Sequence, residues 1–377
     1  VIVDSPRRHG RWLPPSGRYW AGLIVLLLLA ACSSQRPAPE PASPVEQQLT
    51  RKMHPMGWRD LPGWSQENAV AAWGAFRDSC TRLARRDGWA AVCRDADRVD
   101  PLDSAAIRHF FENRFNPYLM VNDDGTTTGL ITGYYEPVLH GSLTRHGEYQ
   151  VPIYRLPPAW QGSPGATRPG RAQLRRSGVL DGHELVWVTD PIEAAYLQIQ
   201  GSGRIELAEG GMLRVGFAGT NNQPFRSFAR ALIDSGEITP GQATLPGIRA
   251  WARRHPGQVD SALDVNPRVV FFQIRDGDDA TTRGDGPVGA LGVPLTSRRS
   301  LAVDPSHIPL GAPVFMATTR PLSNEPMQRL MVAQDTGSAI KGAVRADLFW
   351  GQGDQAGELA GRTKQPGQLW VLMPRGR

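Results

Sequence analysis

Leu330-Met-Val-Ala-Gln-Asp335-Thr-Gly337-Ser-Ala-Ile-Lys-Gly342-Ala-Val-Arg-Ala-Asp347-Leu-Phe-Trp-Gly351 is the stretch around which the chain is organised. An apolar run of strand length delivers Asp335, glycines turn the chain, and Asp347 enters a second apolar run. Upstream, Leu301-Ala-Val-Asp304-Pro305-Ser-His-Ile308-Pro309-Leu310-Gly311 places a third acid at the end of another apolar segment. Aspartate is common in turns because it bonds its own backbone. Three aspartates grouped at strand edges in a glycine-rich, barrel-like region point past that role, to chemistry.

Working outward, the length of 377 residues suits about two domains. Hydrophobic residues at 40% against 21% charged predict a buried core over most of the chain. Gly 41 and Pro 32 favour many short strands and turns, hence a mainly β fold with N-terminal helices, and further short helices are expected at about Phe225–Ser235 and Leu245–His255. The net charge of +6 suits an anionic partner such as a membrane surface or an acidic wall polymer. No dense Lys/Arg block with interleaved aromatics occurs, which argues against nucleic acid.

Arg7, Arg8, Arg11 and Arg18 precede the apolar run Ala21–Ala31, which ends at Cys32. That is a charged n-region and a short h-region, about half the length of a membrane-spanning helix. Leu29-Ala30-Ala31-Cys32 resembles the lipobox of bacterial lipoproteins. The resemblance implies removal of residues 1–31 and acylation of Cys32. Ser33 stands where an aspartate is associated with inner-membrane retention, so the implied location is the periplasmic face of a Gram-negative outer membrane. Residues 32–60, rich in Pro and Ala at first, read as the tether. In an exported chain Cys80 and Cys93 are candidates for a disulfide, and two cysteines are too few for a zinc site.

A helix is expected from an Ser65 cap to about Arg86, with Val70, Trp73, Phe76, Cys80 and Leu83 on one face. A short helix around Trp89–Arg94 and one capped by Asp103 follow. From Asn122 the texture is strands and turns. In Thr132-Gly-Tyr134-Tyr135-Glu136-Pro137 the two tyrosines face opposite ways, one to core and one to a groove. Glu136, before a proline at a strand end, reads as solvated. Residues 138–284 form a second, β-rich block. In it, Gln198 and Gln200 are read as projecting from one strand face beside Gly201, Ser202 and Gly203. Amides beside a glycine turn suit hydroxyl- and acetamide-rich ligands; an ordinary hairpin is the alternative. Asp276–Gly286 is a polar linker whose calcium-like spacing lacks the closing Glu. No His-x-x-x-His pair, Walker motif or dinucleotide fingerprint is present, so no metal and no cofactor is expected.

Three readings of the acids compete. In a glycan-cleaving enzyme, Asp347 among Leu348, Phe349 and Trp350 holds a proton for the leaving oxygen. In an aspartic protease, Asp335-Thr-Gly-Ser338 needs a second such motif, and the chain has none. A non-catalytic lipoprotein that only binds cell wall fits the charge and the tether.

Thr132-Gly-Tyr-Tyr-Glu-Pro137, Gln200-Gly-Ser-Gly203, Ala302-Val-Asp304-Pro-Ser-His-Ile-Pro-Leu-Gly311, Asp335-Thr-Gly-Ser-Ala-Ile-Lys-Gly342 and Asp347-Leu-Phe resemble the membrane-bound lytic murein transglycosylase A family, with its C-terminal three-aspartate domain at 295–377. The resemblance implies a double-psi β-barrel built from residues 61–137 and 285–377, with 138–284 inserted and a substrate groove between the two. It implies a peptidoglycan lytic exotransglycosylase. Such an enzyme cleaves the β-1,4 bond between N-acetylmuramic acid and N-acetylglucosamine with formation of a 1,6-anhydro ring, and it has no cofactor. By the same resemblance Asp347 is acid and then base, Asp335 supports it, and Asp304 is the more structural third acid. Thr132, Tyr134, Gln200, Gly201 and Ser202 would line the groove with Asp304 near them. The implied partners are glycan strands, the membrane through the lipid anchor, and wall-synthesis or wall-degradation complexes.

Overall fold

The computed structural model describes residues 53–163, 165–275 and 286–376. The leader, Cys32 and most of the tether therefore lie outside the described residues, as does nearly all of the linker expected at 276–286.

The first strands are β1 (Met53–Pro55), β2 (Phe115–Met120) and β3 (Gly129–Glu136). A middle group follows: β4 (Val138–Ser142), β5 (Val151–Tyr154), β6 (Glu184–Val188), β7 (Ser202–Leu207), β8 (Met212–Thr220) and β9 (Val270–Ile274). The last group is β10 (Ser300–Val303), β11 (Pro313–Thr319), β12 (Pro326–Asp335), β13 (Arg345–Gln352) and β14 (Lys364–Pro374).

Six strands close on themselves in the order β14, β11, β12, β10, β13, β3 and back to β14. Two pairs in this ring are parallel, β10 with β12 and β13 with β3. β2 adds to β14, and β1 adds to β2. The tether thus ends earlier than expected, because Met53–Pro55 is already hydrogen-bonded in the sheet.

Strands buried on both faces read as continuous apolar runs. Leu330–Ala333 and Leu348–Gly351 are such runs, buried throughout, and the helices Val70–Leu83 and Gly353–Arg362 pack against these strands. The helix Val70–Leu83 packs against β12 and buries Trp73, Phe76, Cys80 and Leu83, the expected face. It begins five residues after Ser65, because Trp64–Gln66 forms a separate 3₁₀ turn and Ala69 occupies the cap. Asp103 does cap the helix Ser104–Arg114, accepting the N–H groups of Ala105 and Ala106 at 2.9 Å. Trp73, Phe76, Phe110, Phe111 and Phe115 meet edge to face or tilted between these helices. Gly311, at φ 95°, lets Leu83 come so close that a Cβ there would lie 2.6 Å from its methyl. Cys80 and Cys93 are joined by a disulfide that ties this helix to Ala90–Ala96.

The second sheet runs β5, β6, β4, β7, β8, β9, and a bridge from Arg155 to Phe272 brings its two edges together. It has its own core of Leu139, Val186, Leu197, Ile205 and Phe272. Helices Pro191–Gln200, Phe228–Asp234, Leu245–Arg254 and Val259–Asp264 build a further core around Ile192, Phe228, Ile248 and Trp251. Their start signals are local: Ser227 and Thr244 cap the second and third, with Pro246 in the first turn of the latter. The helices expected near 225–235 and 245–255 are present, but with Pro191–Gln200 and Val259–Asp264 beside them the fold is mixed helix and sheet, not mainly β. Among the described residues, no helix is long and apolar enough to cross a membrane.

Candidate active site

The site is built by register. Parallel pairing sets Asp347 of β13 opposite Thr132 of β3. On its other side, Asp347 lies opposite Ala302 of β10, and Ala302 in turn lies opposite Asp335 of β12. Asp335 and Asp347 thus flank one small residue, their backbones two strand spacings, or about 10 Å, apart. A bulge between Leu301 and Ala302 adjusts that row.

Thr132 donates its hydroxyl to Asp347 Oδ1 at 2.6 Å. Tyr134 donates its hydroxyl to Asp335 Oδ2 at 3.0 Å, and the Ala290 N–H reaches Oδ1 at 2.9 Å. The Tyr134 ring also lies 5.3 Å from that of Phe349. Tyr135 points the other way and is buried, as strand alternation requires. Gly133 between them is forced: a Cβ there would sit 2.6 Å from the indole nitrogen of Trp350, which donates to Thr363.

Both carboxyls are half-buried, and both are pushed above the ordinary aspartate range. For Asp347 burial is the main cause, the Thr132 bond and Arg345 oppose it, and the Asp335 charge adds to it; the result is about 6. For Asp335 burial again raises, while the N–H groups of Ala290 and Thr336 and the Tyr134 hydroxyl lower. Tyr134 is pushed far up by burial and then by the two carboxylate charges, so it remains a hydrogen-bond donor. Asp335 has three donors and Asp347 one. Asp347 is therefore the acid less satisfied as an anion, and it can give up and retake a proton near neutral pH.

Asp304 behaves oppositely. Just beyond β10, its Oδ2 accepts the Gly342 N–H at 3.0 Å, and its Oδ1 accepts the Ser306 hydroxyl at 2.7 Å. Burial would raise it, but the bonds from Gly342 and Ser306, with Lys341 nearby, outweigh burial and hold it at about 2. It clamps the loop that joins Asp335 to Asp347.

Gln198 and Gln200 are not on one strand face. They belong to the helix Pro191–Gln200, where a separation of two residues turns them to opposite sides. The start signals are Asp190, which accepts from Ile192 and Glu193, and Pro191 in the first turn. Gln198 accepts from Arg171 and the Val270 N–H, inside the second sheet. Gln200 reaches back to the ring and accepts the Tyr135 N–H at 3.1 Å. Gly201, at φ 80°, ends the helix, and Ser202 opens β7 opposite Gly216. Glu136 is not solvated: it is 1% exposed and pairs with Arg204 at 2.9 Å across the junction of the two sheets.

Sequence reasoning missed the Ala290 N–H, since a backbone donor carries no side-chain signal. It also missed Gln334, whose amide donates to Ala75 O and Ser79 Oγ and so pins the end of β12 to the disulfide-bonded helix. Among the described residues, no three His, Cys, Asp or Glu side chains gather as a metal site requires.

Comparison with known proteins identifies two parts of the chain. Residues 130–273 match the MltA specific insert domain and residues 299–373 match the 3D domain. The chain is similar to the lytic transglycosylase LtgG of Burkholderia pseudomallei, 55% identical over 86% of this chain and 96% of that one, with a TM-score of 0.63. It is similar to Escherichia coli MltA with bound chitohexaose, 28% identical over 82% of this chain and 91% of that one, with a TM-score of 0.66. It is also 36% identical to the membrane-bound lytic murein transglycosylase A of Escherichia coli K12 over 250 residues. That alignment spans 64% of each chain, a little under two thirds of the curated relative. Fold and family models together define a two-sheet protein that joins an MltA insert domain to a 3D domain. The chain belongs to the membrane-bound lytic murein transglycosylase A (MltA) family.

Proposed function

We propose that this chain is a peptidoglycan lytic transglycosylase with Asp347 as its acid and base. The observation that carries the reading is one carboxyl, held at about 6, on a strand paired on both sides and about two strand spacings from a second carboxyl. Asp347 protonates the glycosidic oxygen as the bond from C1 of N-acetylmuramic acid breaks. The C6 hydroxyl of the same sugar then closes on C1, and its proton returns to Asp347. No water is consumed, so no second activating base is required. The Asp335 charge keeps the Asp347 proton in place and stabilises positive charge developing at C1. Thr132 and Tyr134 orient the two acids, and the turn at Gly201 and Ser202 offers backbone to the glycan.

The finer architecture belongs to the same proposal. The six-stranded ring with two parallel pairs is read as a double-psi barrel formed by 61–137 and 285–377, with 138–284 inserted. Cys32 is read as the acylated anchor to the periplasmic face of the outer membrane; the curated relative is itself named membrane-bound. Mass analysis of digested sacculi tests the activity. The expected product ends in 1,6-anhydro-N-acetylmuramic acid, one water lighter than the reducing sugar a hydrolase would leave. A reducing end, or no release at all, would sink the reading.

A further inference from the structure

The second sheet carries a groove of about 820 Å³ that no residue of the ring lines. Its walls are the segment 155–168, the end of β8 and its following residues, and β9. The chemistry of these walls is one-sided. Arg155 is exposed and Arg168 half-buried, and neither has an ion-pair partner among the described residues. No Asp or Glu is among the residues that line it.

The floor is aromatic and fixed. Trp160 packs edge-on to buried Phe271 at 5.5 Å, and the Arg168 guanidinium lies over the Trp160 ring at 5.4 Å. Phe217 at 52% and Ile274 at 42% exposure both line it, so two large apolar side chains stay open to solvent in the groove. A neutral sugar chain presents hydroxyls and has no call on two cations. Guanidinium groups above an aromatic floor fit an extended ligand that alternates carboxylates with small apolar side chains.

Register ties the groove to the proposed glycan path. Gln273, in its wall, lies opposite Gly216, and Gly216 lies opposite Ser202 at the turn after Gln200. Two strand spacings, about 10 Å, separate Ser202 from Gln273. A side branch that leaves a glycan at that turn has about 10 Å to cross to the Gln273 wall of the groove.

We propose that this groove binds the peptide stems of the substrate, with stem carboxylates on Arg155 and Arg168. The proposal rests on the peptidoglycan reading of the site and adds the part of the polymer that a plain chito-oligomer lacks.

Titration of the full chain with a synthetic stem tetrapeptide, and with the same peptide amidated at its carboxyls, tests it. The free-carboxylate peptide is expected to bind, and the amidated form to bind about tenfold more weakly or worse. Arg155→Gln combined with Arg168→Gln should remove that difference. Arg155→Gln alone, at an exposed position, should remove part of it and guards against damage to the fold. On polymer, the preference for stem-bearing sacculi over peptide-stripped strands should fall about tenfold in the double variant. Equal binding of both peptides by the unsubstituted chain, or an unmoved preference in the double variant, would overturn the proposal. If the chain releases no anhydro product from either polymer, the catalytic reading fails, and the peptide titration still decides the groove.

Discussion

The turn after β10 and the wall made by β12 and β13 both carry aspartate, and they treat it in opposite ways. At the turn, Asp304 is 6% exposed yet collects hydrogen bonds from Gly342 and Ser306, so its charge is fixed and its pKa lies at about 2. At the wall, Asp347 is more open to solvent yet receives one bond, from Thr132, and is held at about 6 beside Asp335. Burial raises all three carboxyls; at Asp304 the bonds from Gly342 and Ser306, with Lys341, outweigh it, and at Asp335 and Asp347 the bonds do not.

The strongest attempt to break this contrast is Asp347→Asn. Release of anhydro product from sacculi should fall about 10³-fold or more while sacculus binding persists, since the amide neither gives nor retakes the proton. Retained activity would end the assignment. Second, activity should fall as pH rises through about 6, by roughly fiftyfold between pH 6 and 8, because the acid form falls from about half to about one hundredth. A flat profile in kcat/KM would remove Asp347 as the acid.

Third, Asp304→Ala should cost about 2–3 kcal/mol in urea unfolding, since it leaves the Gly342 N–H without its acceptor. Because its folded pKa is depressed, that stability is present above the unfolded value near 4 and disappears as pH falls through about 2. A stability loss that is the same at pH 2 and pH 7 would contradict the clamp. The smallest effect belongs to Thr132→Val. Its hydroxyl favours the Asp347 anion, so losing it should move the falling limb of the pH profile to higher pH with a loss under about tenfold in rate. A shift to lower pH would show that Thr132 acts by another route.

How much was legible follows from the range of each interaction. The apolar faces at Trp73, Phe76 and Leu83 and the cap at Asp103 depend on neighbours a few residues away, and the sequence shows them directly. The glutamines at 198 and 200 were misread because alternation was weighed above Asp190-Pro191, a stronger local signal for a helix start. Glu136 was misread because its partner, Arg204, is 68 residues away. Asp335 and Asp347 stood out as acids at the edges of apolar runs, but their shared neighbour Ala302 is set by cross-strand register, which no local pattern carries. The Ala290 N–H belongs to the same class of invisible partner.

The closure of the ring on β3 also governs the order in which the molecule can be completed. β3 is bonded on one edge to β13 and on the other to β14, so Thr132 meets Asp347 across 215 residues of chain. Contacts so distant in sequence form late, because the loop entropy must be overcome before they reward it. The second sheet draws its strands from 138–274 and has no such wait. A chain that has folded only that far holds Thr132 and Asp347 apart. On the proposed function, the power to cut the wall arises with the last strand, after the body that carries it has formed.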